Sequence, residues 1–106
     1  MTANFKKRWW RCPAHLEWIV ENYQCCVPGC GAWAQEAHHV RDMTDGGMKR
    51  KPSDRWAVPL CAMHHRELHT RGERRFWRWL GTAGWRVAQG YYVNSPHKDA
   101  GKMVSK

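Results

Sequence analysis

The ten residues LCAMHHRELH, at positions 60–69, contain one cysteine and three histidines. On a helix, residues four apart share a face and neighbours differ by about 100°. His65 and His69 would therefore point one way, whereas Cys61 and His64 would point another. Because one metal ion cannot use both pairs together, this segment predicts a short helix that serves two separate metal sites.

The sulfur-containing pair, Cys61 and His64, has the Cys-x-x-His spacing that binds zinc at the start of a helix. A second pair comes from the turn QCCVPGCG at 24–31, where Cys30 follows two adjacent cysteines. Together the two pairs predict a tetrahedral structural zinc site with three cysteines and one histidine. Cys25 is the preferred fourth ligand because residues 27–29 can then form the bulge of the turn, but Cys26 is an open alternative. Cys12 has no evident partner.

The second pair, His65 and His69, has no sulfur nearby and can recruit a third imidazole from His38-His39. Adjacent side chains on a strand point to opposite faces, so these two histidines must do different work. One can bind metal with His65 and His69, and the other is placed as a general base. Three protein ligands leave positions open for water and a phosphate oxygen, which is typical of a catalytic metal site.

Composition excludes several classes of protein. The chain has 106 residues, 18 Lys plus Arg against 9 Asp plus Glu, a net charge of +9 and eight tryptophans. Neither a membrane-spanning run nor a signal peptide is evident, and five cysteines is an odd number for a disulfide scaffold. We expect a small cytoplasmic protein that binds something anionic and needs metal to supplement its core.

The pattern of apolar residues, turn residues and breakers predicts one domain, 1–106. The predicted elements are helices at 14–22, 62–71 and 73–80, strands at 37–40 and 56–60, a hairpin over 81–93, and a mobile polar tail at 94–106. The two strands and the following helix form an α+β arrangement.

The order of these motifs resembles the HNH endonuclease family. The resemblance rests on CCVPGCG (25–31), EAHHVR (36–41), Gly46-Gly47 and VPLCxxHHxxxH (58–69). It covers roughly residues 24–77, about half the chain, which would be the core of an HNH domain. The phrase KPSDRWAVPLC (51–61) is similar to small phage and prophage HNH proteins related to the recombination-enhancement nuclease Ref. The resemblance implies a ββα-metal (His-Me finger) core with a structural zinc knuckle and flanking helices.

Transferred residue by residue, the resemblance makes His39 the general base. It makes His38, His65 and His69 the ligands of a catalytic divalent metal, and Cys61 and His64 the helix half of the knuckle. The chain departs from the family at Trp56, which stands where many members have an asparagine that orients the base. Asp54 is the nearest side chain that can take that role.

The implied activity is metal-dependent hydrolysis of DNA phosphodiester bonds, giving 3′-hydroxyl and 5′-phosphate ends, in phage or prophage DNA processing or recombination. The catalytic ion would be Mg²⁺, Mn²⁺, Ni²⁺ or Zn²⁺, beside structural Zn²⁺. The partner would be DNA, with a recombinase as a further candidate, in the cytoplasm of a bacterial host. Phosphate contacts are predicted for five basic residues: Arg41, Lys49, Arg50, Lys51 and Arg66. The alternative is a zinc-stabilised, non-catalytic nucleic-acid-binding module with a degenerate HNH site.

Overall fold

The protein is an α+β fold in the part of the chain that the structure, a computed structural model, describes: residues 8–46 and 50–104. Four helices pack around two small antiparallel sheets. In chain order the elements are β1 (Trp9–Arg11), α1 (Pro13–Asn22), β2 (Glu36–His39), a 3₁₀ helix (Asp54–Trp56), β3 (Ala57–Leu60), α2 (Ala62–Arg71), α3 (Glu73–Leu80), α4 (Gly84–Val93) and β4 (Lys102–Val104).

The central hairpin is formed by β2 and β3, which pair in antiparallel register from Glu36 opposite Leu60 to His39 opposite Ala57. All four residues of β3 are buried. The carbonyl of Pro59 accepts a 2.9 Å hydrogen bond from the Cys26 amide, so the cysteine turn is attached to this strand. The two predicted strands are confirmed within one residue at each end.

Helices α2 and α3 have the predicted bounds, and the local chemistry explains where they begin and end. Cys61 caps α2 because its sulfur accepts a hydrogen bond from the His64 amide at 3.4 Å. Gly72 ends the helix with a φ of 91°, a conformation that favours glycine, and its amide bonds to the Leu68 carbonyl. Helix α3 starts at the next residue, so one glycine joins the two helices.

The predicted hairpin over 81–93 is wrong, because α4 occupies most of that segment. Gly84 and Ala88 are both buried and lie one helical turn apart. A Cβ on Gly84 would lie 2.5 Å from the Trp77 indole, so α4 approaches α3 at a distance that only glycine permits. Glycine and alanine are small, so the buried face of this helix does not stand out as an apolar stripe in the sequence. The alternate spacing of the apolar residues Trp85 and Val87 indicated a strand instead.

The predicted tail also differs from the structure in its described part, 94–104. β4 pairs with β1, the Trp10 indole donates to the Ala100 carbonyl at 2.7 Å, and the Ser95 hydroxyl lies 2.9 Å from Nδ1 of His15. Trp9 and Trp10 are buried, so they act in packing. This segment folds back because it satisfies backbone and indole groups that the first strand would otherwise leave unpaired.

The main core lies between the hairpin and the last three helices. Its fully buried members include Val40, Val58, Leu60, Leu68 and Phe76. The metal-ligand candidates of the hairpin and α2 are therefore attached to the best-packed part of the fold. None of the helices in the described residues is both long enough and apolar enough to cross a membrane.

Candidate metal centre

The structure brings Cys25, Cys30, Cys61 and His64 together, with their four potential ligand atoms all within 4.8 Å of one another. The Cys30 and Cys61 sulfurs are 3.9 Å apart, and Nδ1 of His64 is 3.5 Å from the Cys25 sulfur and 3.4 Å from that of Cys61. A tetrahedral zinc ion requires about 3.8 Å between two sulfurs and about 3.6 Å between sulfur and nitrogen. The cluster could therefore hold a metal ion such as zinc.

The geometry of the cysteine turn decides which of the adjacent residues Cys25 and Cys26 is the metal-ligand candidate. Gly29 and Gly31 have φ values of 81° and 74°, which bend the chain on either side of Cys30. The Cys25 amide bonds to the Ala32 carbonyl at 2.8 Å, which closes the turn with Cys25 inside the cluster. Cys26 is not in the cluster, and burial raises the pKa of its thiol to about 12. Cys25 is thus the residue placed to bind metal.

The thiols within the cluster differ in their acidity. Burial raises the pKa of the Cys25 thiol to about 11. Burial alone would also raise the pKa of Cys61, but hydrogen bonds from the His64 amide and from the Cys25 and Cys30 thiols lower it below its ordinary value. Cys61 is therefore better prepared than Cys25 to become a thiolate ligand.

A second cluster contains His38, His65 and His69, and no sulfur. Nε2 of His65 lies 3.3 Å from Nδ1 of His38 and 3.1 Å from Nε2 of His69. Two nitrogens on a tetrahedral ion with 2.0–2.1 Å bonds are about 3.3 Å apart, so these three rings also fit one metal. His38 is buried, whereas His69 is exposed, which leaves one side of the cluster open to solvent.

Two carboxylates that the sequence analysis did not single out orient these rings. Oε1 of Glu73 lies 3.1 Å from Nε2 of His38, and Oε2 of Glu73 accepts from the Arg41 and Asp42 amides at 2.7 and 2.9 Å. Glu36 forms an ion pair with Nδ1 of His65. A carboxylate on the outer nitrogen of a metal-binding histidine fixes its tautomer and raises its basicity.

Glu73 is held as an anion in this position. Burial alone would raise the pKa of Glu73, but hydrogen bonds from the His38 ring and the Asp42 and Arg41 amides lower it below the ordinary range. The ionised carboxylate accepts the Nε2 proton of His38, which leaves Nδ1 of that ring free to bind metal. The only sequence signal for this role is the position of Glu73 directly after Gly72, which ends α2.

His39 is not part of this cluster and contacts Asp54 instead. Nε2 of His39 lies 2.8 Å from Oδ1 of Asp54, whose other oxygen accepts from the Cys12 amide at 2.7 Å. The Asp54 side chain is only 3% exposed and also forms an ion pair with Arg11 at 3.4 Å. Burial alone would raise the pKa of Asp54, but these partners lower it, so the carboxylate accepts the Nε2 proton and leaves Nδ1 of His39 as a lone-pair nitrogen.

The basic residues predicted to contact phosphate have different surroundings. Arg41 and Lys51 are exposed, and Nη1 of Arg41 donates to the Arg50 carbonyl at 3.0 Å, which connects the two sides of the loop. The Arg50 guanidinium stacks 4.1 Å from the Trp9 ring centre. Arg66 is exposed on α2, and Lys49 lies outside the described residues. Arg41 therefore lies two residues after the end of β2, which carries His39, and contacts Arg50.

The chain belongs to the family DUF968, described as a protein of unknown function, whose model matches residues 2–87. It is also similar to "Uncharacterized protein YdfU" of Escherichia coli (strain K12), with 37% identity over 65 residues. That stretch is 61% of this chain but 18% of the relative, so the match spans less than a fifth of the relative's length. No solved structure matches the chain. The range of the family model includes both Cys/His clusters, His39 and Asp54.

Proposed function

We propose that the protein is a metal-dependent DNA endonuclease of the HNH type. The observation that carries the proposal is the arrangement of two neighbouring residues of β2. His38 joins His65 and His69 in a cluster that fits a metal ion, while His39 is held by the buried carboxylate of Asp54. A general base beside a three-histidine metal site is the combination that phosphodiester hydrolysis requires.

The order of the elements supports the same proposal. The hairpin of β2 and β3 leads directly into α2, and the three histidines and His39 all come from β2 and α2. This is the element order of a ββα-metal core. The cluster of three cysteines and His64 would then be the structural zinc knuckle, joining the cysteine turn to the start of α2.

The proposed reaction depends on the lone-pair nitrogen of His39. Asp54 accepts the Nε2 proton of His39, so Nδ1 can take a proton from water as the water oxygen attacks phosphorus. The bond between phosphorus and O3′ breaks, and the leaving oxygen takes a proton from solvent, which gives a 3′-hydroxyl and a 5′-phosphate. A divalent ion held by His38, His65 and His69 would polarise a non-bridging phosphate oxygen and stabilise the leaving oxygen.

Asp54 would thus take the role of the family asparagine, whose position Trp56 occupies in this chain. The side chain of Asp54 comes from the 3₁₀ helix that precedes β3, and it reaches across to the end of β2. An ionised carboxylate orients an imidazole at least as firmly as an amide, because a charge-assisted hydrogen bond is stronger than a neutral one. The departure at Trp56 is therefore compatible with catalysis.

Plasmid nicking tests the proposal. Purified protein would be incubated with supercoiled DNA and Mg²⁺, Mn²⁺ or Ni²⁺, beside a His39→Ala variant and a His97→Ala control whose ring lies in neither cluster. We expect nicking by the wild type and the control, and a loss of about 100-fold or more in His39→Ala. Equal nicking by His39→Ala and wild type, or no nicking with any of the metals, would contradict the proposal.

A gel-shift measurement on the same preparations distinguishes the endonuclease from the second candidate function, a non-catalytic nucleic-acid-binding module. Binding of DNA without cleavage would favour a zinc-stabilised binding module, whose affinity would fall steeply with salt. The structure favours the enzyme, because a binding module has no need of a second cluster backed by Glu36 and Glu73 or of the buried pair between His39 and Asp54.

A further inference from the structure

A groove of about 540 Å³ runs between α1 and β2, on the side of the hairpin where Glu36 contacts His65. Most of its lining is apolar or acidic, and Gln35 and the metal-ligand candidate His65 complete it. Leu16, Val20 and Ala37 are apolar and half-buried, and Glu17, Glu21 and Glu36 are exposed carboxylates. The groove therefore combines an apolar floor with an acidic rim.

The acidic rim is unusual on a chain with a net charge of +9. Most other carboxylates have a partner within the described residues, as Asp42 has in Arg74 and Glu67 has in Arg71. Glu17 and Glu21, in contrast, have no hydrogen bond or ion pair in the described part of the chain, although both lie in a strongly basic protein. None of the ion pairs in the described residues joins a lysine or arginine to either of these two glutamates.

Glu17 and Glu21 do not contribute to the stability of the helix on which they lie. They are spaced i and i+4 on α1, where like charges weakly destabilise a helix. Neither lies in the first turn of α1, so the helix dipole does not compensate for them. A positive partner would remove the repulsion, and a nucleic-acid phosphate would increase it.

We propose that this groove binds a basic amphipathic segment of a partner protein. Leu16 and Val20 form one row along α1, and Glu17 and Glu21 form a parallel row beside it, both at i, i+4 spacing. A partner segment with apolar residues at the same spacing, flanked by lysine or arginine, matches both rows at once. This surface goes beyond the proposed nuclease activity and does not depend on it.

A peptide titration tests the groove. The probe is a fluorescein-labelled amphipathic helix with leucines at i, i+4 spacing flanked by lysines, measured by fluorescence anisotropy against the full chain. The groove variant is Glu17→Lys/Glu21→Lys. The matched control, Glu67→Lys/Asp99→Lys, has the same change in net charge at residues that do not line the groove. Thermal unfolding shows whether each variant is folded.

We expect wild type and the control variant to bind the peptide with similar affinity, and the groove variant to bind roughly tenfold or more weakly. A peptide with glutamine in place of lysine should bind the wild type about as weakly as the groove variant binds the original peptide. Failure of the peptide to bind wild type, or equal weakening in both variants, would overturn the proposal. A concentration-dependent dimer that the groove variant abolishes would also overturn it, because the occupant would then be a second copy of this chain. Nicking by a folded groove variant should be unchanged, so this test stays separate from the proposed function.

Discussion

Replacement of Asp54 by asparagine tests whether the carboxylate of Asp54 holds the His39 ring in place, because the substitution hardly changes the side-chain volume. Asp54 accepts from the His39 ring at 2.8 Å and from the Cys12 amide at 2.7 Å, with its side chain 3% exposed. An amide offers one oxygen, so one of these buried donors would face an NH₂ group. An unsatisfied buried donor costs about 1–3 kcal/mol in the free energy of unfolding. Each kcal/mol lowers the melting temperature by about 4–8 °C in a domain of this size.

The stability difference between wild type and Asp54→Asn should depend on pH. Burial alone would raise the pKa of Asp54, but its bonds to His39 and Cys12 and the charge of Arg11 lower it. A carboxyl with a lowered folded pKa contributes stability that is fully present above its unfolded pKa of about 4 and is lost as pH falls through the folded value. Urea unfolding of both proteins across this range measures the difference. A difference that grows with acidity would contradict the argument.

The same substitution should change the tautomer and the activity of His39. In the wild type the Nε2 proton points to Asp54, and histidine ¹⁵N NMR can report which ring nitrogen is protonated. We expect nicking by Asp54→Asn to fall by up to about 100-fold, which does not exceed the loss in His39→Ala, and the double variant to lose no more than His39→Ala alone. A folded Asp54→Asn protein that nicks at the wild-type rate, or that keeps the wild-type tautomer, would refute the role of Asp54.

The remaining predictions concern the two clusters and the helix packing. Cys61→Ala should lose about one tightly bound zinc per chain by metal analysis, whereas Cys26→Ala should keep it, and the reverse result would reassign the ligands. Glu73→Gln should weaken metal binding at the histidine cluster by about 10–100-fold in a chelator competition while zinc at the cysteine cluster is retained. Gly84→Ala should lower the free energy of unfolding by about 1–3 kcal/mol, because the new Cβ would lie 2.5 Å from an indole. Gly90→Ala, with nothing within 4 Å, should raise it by about 0.5–1 kcal/mol in the same urea titration.

Much of the centre of the molecule could be predicted from sequence, because its signals are local. The helix periodicity after Cys61 separates the two ligand pairs, and Gly72 ends the helix regardless of the rest of the fold. The alternation of a strand separates His38 from His39, and the structure directs them to different partners. Each of these inferences needs only residues within one or two turns of one another.

The rest depended on contacts between distant parts of the chain. Glu73 contacts His38, which lies 35 positions away in the sequence, and Asp54 contacts Cys12, which lies 42 positions away. Single carboxylates among many give no local sign of such contacts. Helix α4 was missed for a related reason, since its face against α3 is made of Gly84 and Ala88, whose small size matters only where another helix approaches.

His64 and His65 are neighbours in the chain, yet they belong to different clusters on one short helix. An ion bound by the first cluster would hold the start of α2 more rigidly and thereby position His65 and His69, so less conformational entropy would be lost when a second ion binds. Binding of the two ions should therefore be positively coupled, and by reciprocity the second ion would strengthen the binding of the first.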